Sequence, residues 1–399
     1  MMNAVDLFAG CGGLSLGFHN AGINIKAAFE FWDVAANCYE KNFNHPVHRV
    51  DLSDTETAIK LIEPYNPDII IGGPPCQDFS FAGKRIEASR ASLTVSYADI
   101  ICSVKPKYFV MENVDRAAKS NAYSEARKKY KENGYGLTEV ILDASKCGVP
   151  QKRKRFFCIG IRNDSDDSVK KIISSKMSKE PTTLRDYYGN TLDFEFYYRH
   201  PRNYSRRAIF SIDEPAPTMR GVNRPVPKGY PGHPNDACKL SPSIRALTTA
   251  ERALIQTFPK DFIWIGSKTD IEQMIGNAVP VKLAEFVASS VLEYTQTQNV
   301  PAVDYVWNID GFETWLIETK KYSRRTACDV ISRCKRSDKI CHCESHLDTY
   351  YLFMLQQQIE YQQLSVSVKS QLKRAVTLQL EYNTLQNANH INPLEISAQ

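Results

Sequence analysis

No stretch of this 399-residue chain reads as an apolar run of membrane-spanning length. Its opening, Met1-Met2-Asn3-Ala4-Val5-Asp6, lacks the basic segment of a signal peptide. Both absences set the expectation of a cytoplasmic protein with no membrane contact. The eleven cysteines are odd in number and lack paired spacing, which argues against a disulfide framework and predicts reduced thiols. Cys341-His342-Cys343, with His346, Cys328 and Cys334, lacks the two-residue gap of the usual zinc pairs, so no metal is expected. Charge of one sign is also scarce: 50 Lys and Arg against 45 Asp and Glu leave +5, which permits nucleic acid without demanding it. No Gly-Lys-Ser/Thr follows the Gly-rich segment near the start, which disfavours a triphosphate site. There is no internal repeat.

What is present is a globular composition, 43% hydrophobic and 24% charged, in a chain long enough for about two or three units. Up to residue 161 strand-like and helix-like runs alternate: strands at 5–8, 25–29, 68–71, 108–111, 137–142 and 156–161, helices at 14–20 and 34–42 with further helical stretches between. That order predicts an α/β fold with a doubly wound, mostly parallel sheet. From 162 to 240 no helical period persists, while Tyr, Pro, Arg and Asn become dense, as expected of a small, irregular inserted domain. Helical spacing returns at 248–257 and 281–294, so residues 241–295 are assigned to the first domain. Residues 296–399 have apolar residues at helical spacing (Tyr351, Leu352, Leu355, Ile359) among many Lys, Arg and Gln, which predicts an α-helical C-terminal extension.

One cysteine stands apart. Gly72-Gly73-Pro74-Pro75-Cys76-Gln77 follows the apolar run Asp68-Ile69-Ile70-Ile71, so Cys76 sits in a proline-stiffened loop at a strand's carboxyl end. The other ten are read as inert core thiols. Glu112 follows another strand-like run, Tyr108-Phe109-Val110. A thiol and a carboxyl at the ends of neighbouring strands lie where open α/β sheets bind ligands, and they pair a nucleophile with a general acid. A second acid, Glu30, ends the second strand, where a carboxylate accepts hydrogen bonds from ribose hydroxyls. The basic runs Lys152-Arg153-Lys154-Arg155 and Arg199, Arg202, Arg206, Arg207 fall mid-chain. Arg153 and Arg155, at alternating positions entering a strand, are expected to face one side and to favour the Cys76 thiolate.

Six segments occur in a fixed order: Asp6-Leu7-Phe8-Ala9-Gly10-Cys11-Gly12-Gly13-Leu14-Ser15, Pro74-Pro75-Cys76-Gln77, Glu112-Asn113-Val114, Gly148-Val149-Pro150-Gln151-Lys152-Arg153-Lys154-Arg155, Arg245-Ala246-Leu247-Thr248 and Gly276-Asn277-Ala278-Val279-Pro280. In these, and over nearly three quarters of its length, the chain resembles the DNA (cytosine-5-)-methyltransferases of bacterial restriction-modification systems. The resemblance implies S-adenosyl-L-methionine as methyl donor and a target-recognition domain at 162–240. By position it implies a cofactor pocket of Phe8, Gly10, Gly13, Glu30, Phe31, Asp51, Leu52, Pro75, Leu93, Asn277 and Val279. Within it Phe8 packs on the adenine, Glu30 holds the ribose, Phe31 stacks on the base and Asp51 accepts from the adenine amine. The family has tryptophan where this chain has Phe31, and Trp32 comes one residue later.

The resemblance also implies chemistry. Cys76 attacks carbon 6 of cytosine, Glu112 donates to ring nitrogen 3, and Arg155 lies near the nucleophile and the base's carbonyl oxygen. Methyl transfer to carbon 5 follows, within a specific double-stranded DNA sequence and on a base flipped out of the helix. Ser80, Lys84 and Arg85 belong to a loop expected to close on DNA. Arg220, Asn223 and Arg224 are the candidate base readers, and Arg245 is a further DNA contact. A monomer is expected, acting in the nucleoid beside a restriction endonuclease without a stable complex. Transfer of methyl groups to RNA, or idle DNA binding by a regulator, are the competing readings; an intact Cys76 and Glu112 argue against the regulator.

Overall fold

The structure is a computed structural model that describes residues 2–75, 93–201, 203, 205–299, 309–342, 347 and 349–390. It divides into two compact units, Met1–Thr297 and Gln298–Gln399.

The first unit is built on a seven-stranded sheet. Its strands are β1 (Asn3–Leu7), β2 (Asn24–Phe29), β3 (Val47–His48), β4 (Ile69–Gly72), β5 (Tyr108–Val114), β6 (Tyr135–Asp143) and, after the short β7 (Gln151–Lys152), β8 (Lys154–Arg162). The order across the sheet is β3-β2-β1-β4-β5-β8-β6. All neighbours from β3 to β5 are parallel, and β8 runs antiparallel to both β5 and β6. The predicted doubly wound, mostly parallel architecture is therefore present. Three further short strands, β9 (Phe196–Tyr198), β10 (Ile209–Ser211) and β11 (Ala216–Pro217), lie outside the main sheet. β9 pairs with β10, and β11 pairs with β7.

The helices of this unit are α1 (Gly13–Asn20), α2 (Asp33–Glu40), α3 (Thr55–Ile62), α4 (Leu93–Val104), α5 (Asn121–Glu132), α6 (Lys170–Lys176), α7 (Leu184–Tyr188), α8 (Thr249–Ile255), α9 (Lys268–Asn277) and α10 (Val281–Asn299). Alternation along the strands sorts them onto two faces. Ile69 and Ile71 of β4 pack with Leu14 and Phe18 of α1 and with Leu283, Val287 and Val291 of α10. Ile70, one residue out of phase, packs with Ile62 of α3, Ile101 of α4 and Tyr130 of α5. A continuous apolar run is thus what a strand covered on both faces requires. Each fully buried Ile contributes roughly 1.5–3 kcal/mol.

Three expectations need correction. The helical stretch Lys268–Gln296 is in fact long and apolar enough to cross a membrane by length and composition. Its apolar residues are instead spent on the core, where Leu283, Ala284, Val287 and Val291 are fully buried. The span from 162 to 240 is not free of helix: α6 and α7 lie in it, and Val169 and Ile173 join the sheet's own core cluster. Beyond them two small clusters form, one around Tyr197, Phe210 and Met219 and one around Tyr198, Ile209 and Tyr230. Finally, Cys11, Cys38, Cys147, Cys158 and Cys334 are buried thiols as expected, but Cys328 is exposed.

The second unit is helical, as the spacing predicted: α11 (Ile309–Glu318), α12 (Arg324–Ile340), α13 (Thr349–Gln357), α14 (Ile359–Gln362) and α15 (Val366–His390). Phe312 and Leu316 of α11, Ala327, Val330 and Cys334 of α12, and Ala375 and Tyr382 of α15 form one core.

Candidate active site

The carboxyl end of the sheet collects the chemistry. β4 ends at Gly72, and the chain leaves it through Gly73, Pro74 and Pro75. Asn113 of β5 donates from Nδ2 to the Pro74 carbonyl at 3.0 Å, tying that segment to the neighbouring strand. A Cβ on Gly73 would lie 3.1 Å from Oε2 of Glu112, so the absence of a side chain there leaves room for the carboxyl group. Cys76, Ser80, Lys84 and Arg85 lie outside the described residues.

Glu112 sits within β5, opposite Phe157 of β8, not beyond the strand's end. Arg155 of β8 is opposite Val114, two positions from Phe157 and hence on the same face as Glu112. Its Nε stands 2.8 Å from Oε1 of Glu112, and both side chains are largely buried. Burial pushes the Glu112 carboxyl above the usual range, and Arg155, then Arg153, draw it back down. A carboxyl so placed holds a proton more readily than a surface acid does.

Arg153 and Arg155 do not act alike. The Arg153 guanidinium is 1% exposed and precedes β8. It donates to the Met219 carbonyl at 2.9 Å, to Gly276 at 2.9 Å and to Ala278 at 3.0 Å. Arg153 is a brace between three backbone segments, with an electrostatic effect on Glu112; Arg155 alone makes the direct contact.

The second cluster surrounds the Gly-rich turn after β1. Glu30 follows β2 and accepts from the backbone N–H of Gly10 and of Trp32, each at 2.7 Å. Burial raises its pKa, and those two donors, with Phe31 N–H, oppose the rise. Phe8 adopts φ 58°, the left-handed region, at the mouth of the turn. Phe31 is 67% exposed, whereas Trp32 packs into the cluster of Phe258 and Phe262. The ring available for stacking is therefore Phe31. Asp51 Oδ1 accepts from the backbone and hydroxyl of Ser53 at 2.9 and 2.7 Å, and Leu52 beside it is buried. Leu93 opens α4. A Cβ on Gly13 would lie 2.4 Å from the Val279 carbonyl, so the late segment 276–280 lies directly against the Gly-rich turn. Asn277 is exposed and accepts from Gln273 at 3.0 Å.

Beneath the turn lies a chain of polar groups that sequence reasoning missed. Asp6 is fully buried on β1 and accepts from the Ser15 hydroxyl at 2.6 Å. Ser15 in turn accepts from Tyr39 at 2.6 Å, and Tyr39 meets Nε2 of His45 at 2.7 Å. Asp6 and Ser15 both stand in the opening segment, but nothing in the sequence marks Ser15, Tyr39 and His45 as linked to the Asp6 carboxyl. Arg252 and Glu272, both about 5% exposed, form a buried pair at 2.9 Å that was likewise not foreseen.

Of the candidate base readers, Arg220 donates to the His200 carbonyl and Asn223 to the Leu247 carbonyl at 2.8 Å. Arg224 is exposed, as is Val222 between them. A small cleft lined by Tyr198, His200, Arg220, Asn223 and Arg224 opens here. Desolvation, followed by Arg224 and Arg220, depresses the His200 pKa. Arg245 grips Glu251 with two bonds at 2.7 and 2.8 Å and reaches Asp193 at 3.3 Å, so its guanidinium anchors the start of α8. Among the described residues no group of three His, Cys, Asp or Glu is placed to hold a metal; Cys343 and His346 are outside that set.

The profile described as C-5 cytosine-specific DNA methylase matches residues 2–293. The chain belongs to that family. It is 56% identical over 295 residues to the type II methyltransferase M.HindV of Haemophilus influenzae, covering 73% of this chain and 97% of that protein. It is 53% identical over 294 residues to M.HgiDI of Herpetosiphon aurantiacus, covering 73% and 95%. Among solved structures, the S. pombe Dnmt2 methyltransferase superposes with a TM-score of 0.56 at 21% identity, covering 73% of this chain and 99% of that one. A putative DNA modification methyltransferase from an E. coli prophage superposes with a TM-score of 0.55 at 23% identity, covering 74% and 100%. These two share the fold. The chain is a DNA (cytosine-5-)-methyltransferase, and the family's reaction is S-adenosylmethionine-dependent methylation of cytosine. The residues around Glu30 fit that cofactor: a half-buried carboxylate just after β2 and, beside it, the exposed ring of Phe31. The unit Gln298–Gln399 lies beyond the family match.

Proposed function

We propose that this methyltransferase modifies carbon 5 of one cytosine within a specific duplex sequence, through a covalent bond from Cys76 to a flipped-out base. The observation that carries this reading is the buried Arg155–Glu112 pair beside the segment Gly73-Pro74-Pro75, which precedes Cys76 in the chain. The cofactor supplies an electrophilic methyl group, and Phe8, Glu30, Phe31 and Asp51 hold its adenosine. Cytosine carbon 5 is a weak nucleophile on its own. When the Cys76 sulfur bonds to carbon 6, electron density moves to carbon 5, and the charge developing on the ring is met by Glu112 at nitrogen 3. Arg155 orients Glu112 and faces the base. Carbon 5 then takes the methyl group, with S-adenosyl-L-homocysteine as the leaving group; water accepts the carbon 5 proton, the carbon 5–carbon 6 double bond re-forms, and the sulfur–carbon bond breaks with its electron pair returning to Cys76.

Flipping the base requires a few kcal/mol of unstacking, to be met by contacts to phosphates and to the vacated base pair. The loop carrying Ser80, Lys84 and Arg85 and the segment Arg220 to Arg224 are the proposed contacts. The relatives' names, type II methyltransferases, support a protective role beside a restriction endonuclease; the proposed form is a cytoplasmic monomer that does not bind that endonuclease stably.

The test is Cys76→Ser. The variant should bind duplex DNA yet transfer no tritium from labelled cofactor. Duplex carrying 5-fluorocytosine should link covalently to the unmodified protein alone, since fluorine does not leave as a proton does. Turnover by the serine variant would overturn the assignment. Running transfer RNA beside duplex DNA decides between the two substrates.

A further inference from the structure

We propose that the outer face of α12 is a second DNA-contact surface, one that grips phosphates of duplex DNA without regard to sequence. The chain's positive charge is unevenly placed. Residues 320–339 hold eight cations against two carboxylates, Asp329 and Asp338, a surplus of six, whereas the whole chain nets +5. The unit 298–399 as a whole is balanced, eleven cations against eleven carboxylates, so its positive charge is concentrated in α12, which holds six of those cations, and in Lys320 and Lys321 just before it.

That element presents the charge on one side. Ala327, Val330, Ile331, Cys334 and Ser337 face the core of the unit. At about 100° per residue, Arg325, Lys335, Arg336 and Lys339 fall on the opposite side, and all four are exposed. Among the described residues none of these four forms an ion pair, in contrast to Lys320 with Glu381 and Arg324 with Glu313. Lys335 and Lys339 are like charges four residues apart, an arrangement that weakens a helix by a few tenths of a kcal/mol. Asp329, four residues after Arg325, is the one carboxylate of α12 on that side, so cations outnumber carboxylates there four to one.

From Arg325 to Lys339 the helix rises about 21 Å, roughly six base-pair steps of duplex. A row of cations on that scale matches a polyanion of regular charge spacing, and the family's own substrate is one. The relatives align over 73% of this chain while using 95–97% of their own lengths, so this surface is an addition to the shared machinery.

The test uses the full chain carrying Arg325→Gln, Lys335→Gln, Arg336→Gln and Lys339→Gln together. Binding to fluorescein-labelled duplexes with and without the methylated sequence is followed across salt concentrations, without cofactor. The slope of log affinity against log salt should become shallower by about 0.9 for each lost phosphate contact, some two to four in all. The loss should be equal for both duplexes, with turnover at saturating DNA unchanged. A charge-keeping variant, Arg325→Lys, Lys335→Arg, Arg336→Lys and Lys339→Arg, should retain the original slope, which separates charge from folding. An unchanged slope in the glutamine variant overturns the proposal. So does an effect confined to single-stranded RNA or to anionic vesicles. Because binding is read without methyl transfer, the result stands whether or not Cys76 proves to be the nucleophile.

Discussion

Nε of Arg155 and Oε1 of Glu112 meet at 2.8 Å across two antiparallel strands, with neither side chain more than about one-seventh exposed. The contact opposes the rise that burial imposes on the Glu112 pKa, leaving a carboxyl able to hold or to surrender a proton. Glu112→Gln keeps the size of the side chain but removes the transferable proton. Turnover at saturating DNA and cofactor should fall by about 10²–10⁴. Tritium transfer measures it, and a variant turning over at the original rate would remove Glu112 from the chemistry.

Glu30 has two tasks that substitution can separate. Its carboxylate orders the Gly-rich turn through Gly10 and Trp32, and its remaining lone pairs face the proposed ribose. Glu30→Ala should weaken cofactor binding by about 1.5–3 kcal/mol for each charge-assisted bond lost and should also lower the melting temperature. Glu30→Gln keeps one acceptor oxygen and should fall between. Calorimetry showing unchanged affinity in both variants would place the ribose elsewhere.

Much of this was legible in the chain, and for identifiable reasons. The apolar run 69–71 and the run before Glu112 announce strands because both faces of the sheet are covered. What the sequence hid were relationships at long range. Arg153 reads like Arg155 in a row of alternating cations, yet its guanidinium turns to carbonyls 66, 123 and 125 residues away. No local pattern encodes which acceptors a buried arginine will find. The same holds for Val169 and Ile173, whose membership of the sheet's core depends on how α6 folds back.

Asp6 predicts a pH effect on stability. Burial pushes its carboxyl from 3.8 up to about 7, with the Ser15 hydroxyl opposing and Glu30 adding to the rise. Between those values the folded chain holds a proton that the unfolded chain has released. The contribution to stability is therefore complete below pH 3.8 and is lost as pH rises through about 7. It amounts to about 4 kcal/mol at most. Asp6→Asn, which cannot ionise, should remove that slope. Urea unfolding across the range would show the gap between variant and parent changing with pH, and a constant gap would mean Asp6 does not titrate there.

The last prediction concerns which segment carries sequence choice. Exchanging residues 162–240 with a relative of different target would cut through the sheet's core at Val169 and Ile173 and would strand Leu247, which packs with Tyr197 and Met219. An exchange of 178–247 keeps the first pair with their core and carries Leu247 with its partners. This second chimera should be the better folded of the two, with a higher melting temperature. Bisulfite sequencing of DNA from cells expressing it should show methylation moved to the donor's sequence. Within the segment, Arg224 is exposed beside the His200 cleft. Arg224→Ala should relax discrimination at one base pair by about 1–3 kcal/mol if the guanidinium grips a guanine edge. If it meets phosphate alone, affinity should fall evenly over all sequences and the salt dependence should flatten by about one unit. A folded chimera that keeps the parent's methylation pattern would move the reading function out of this segment altogether.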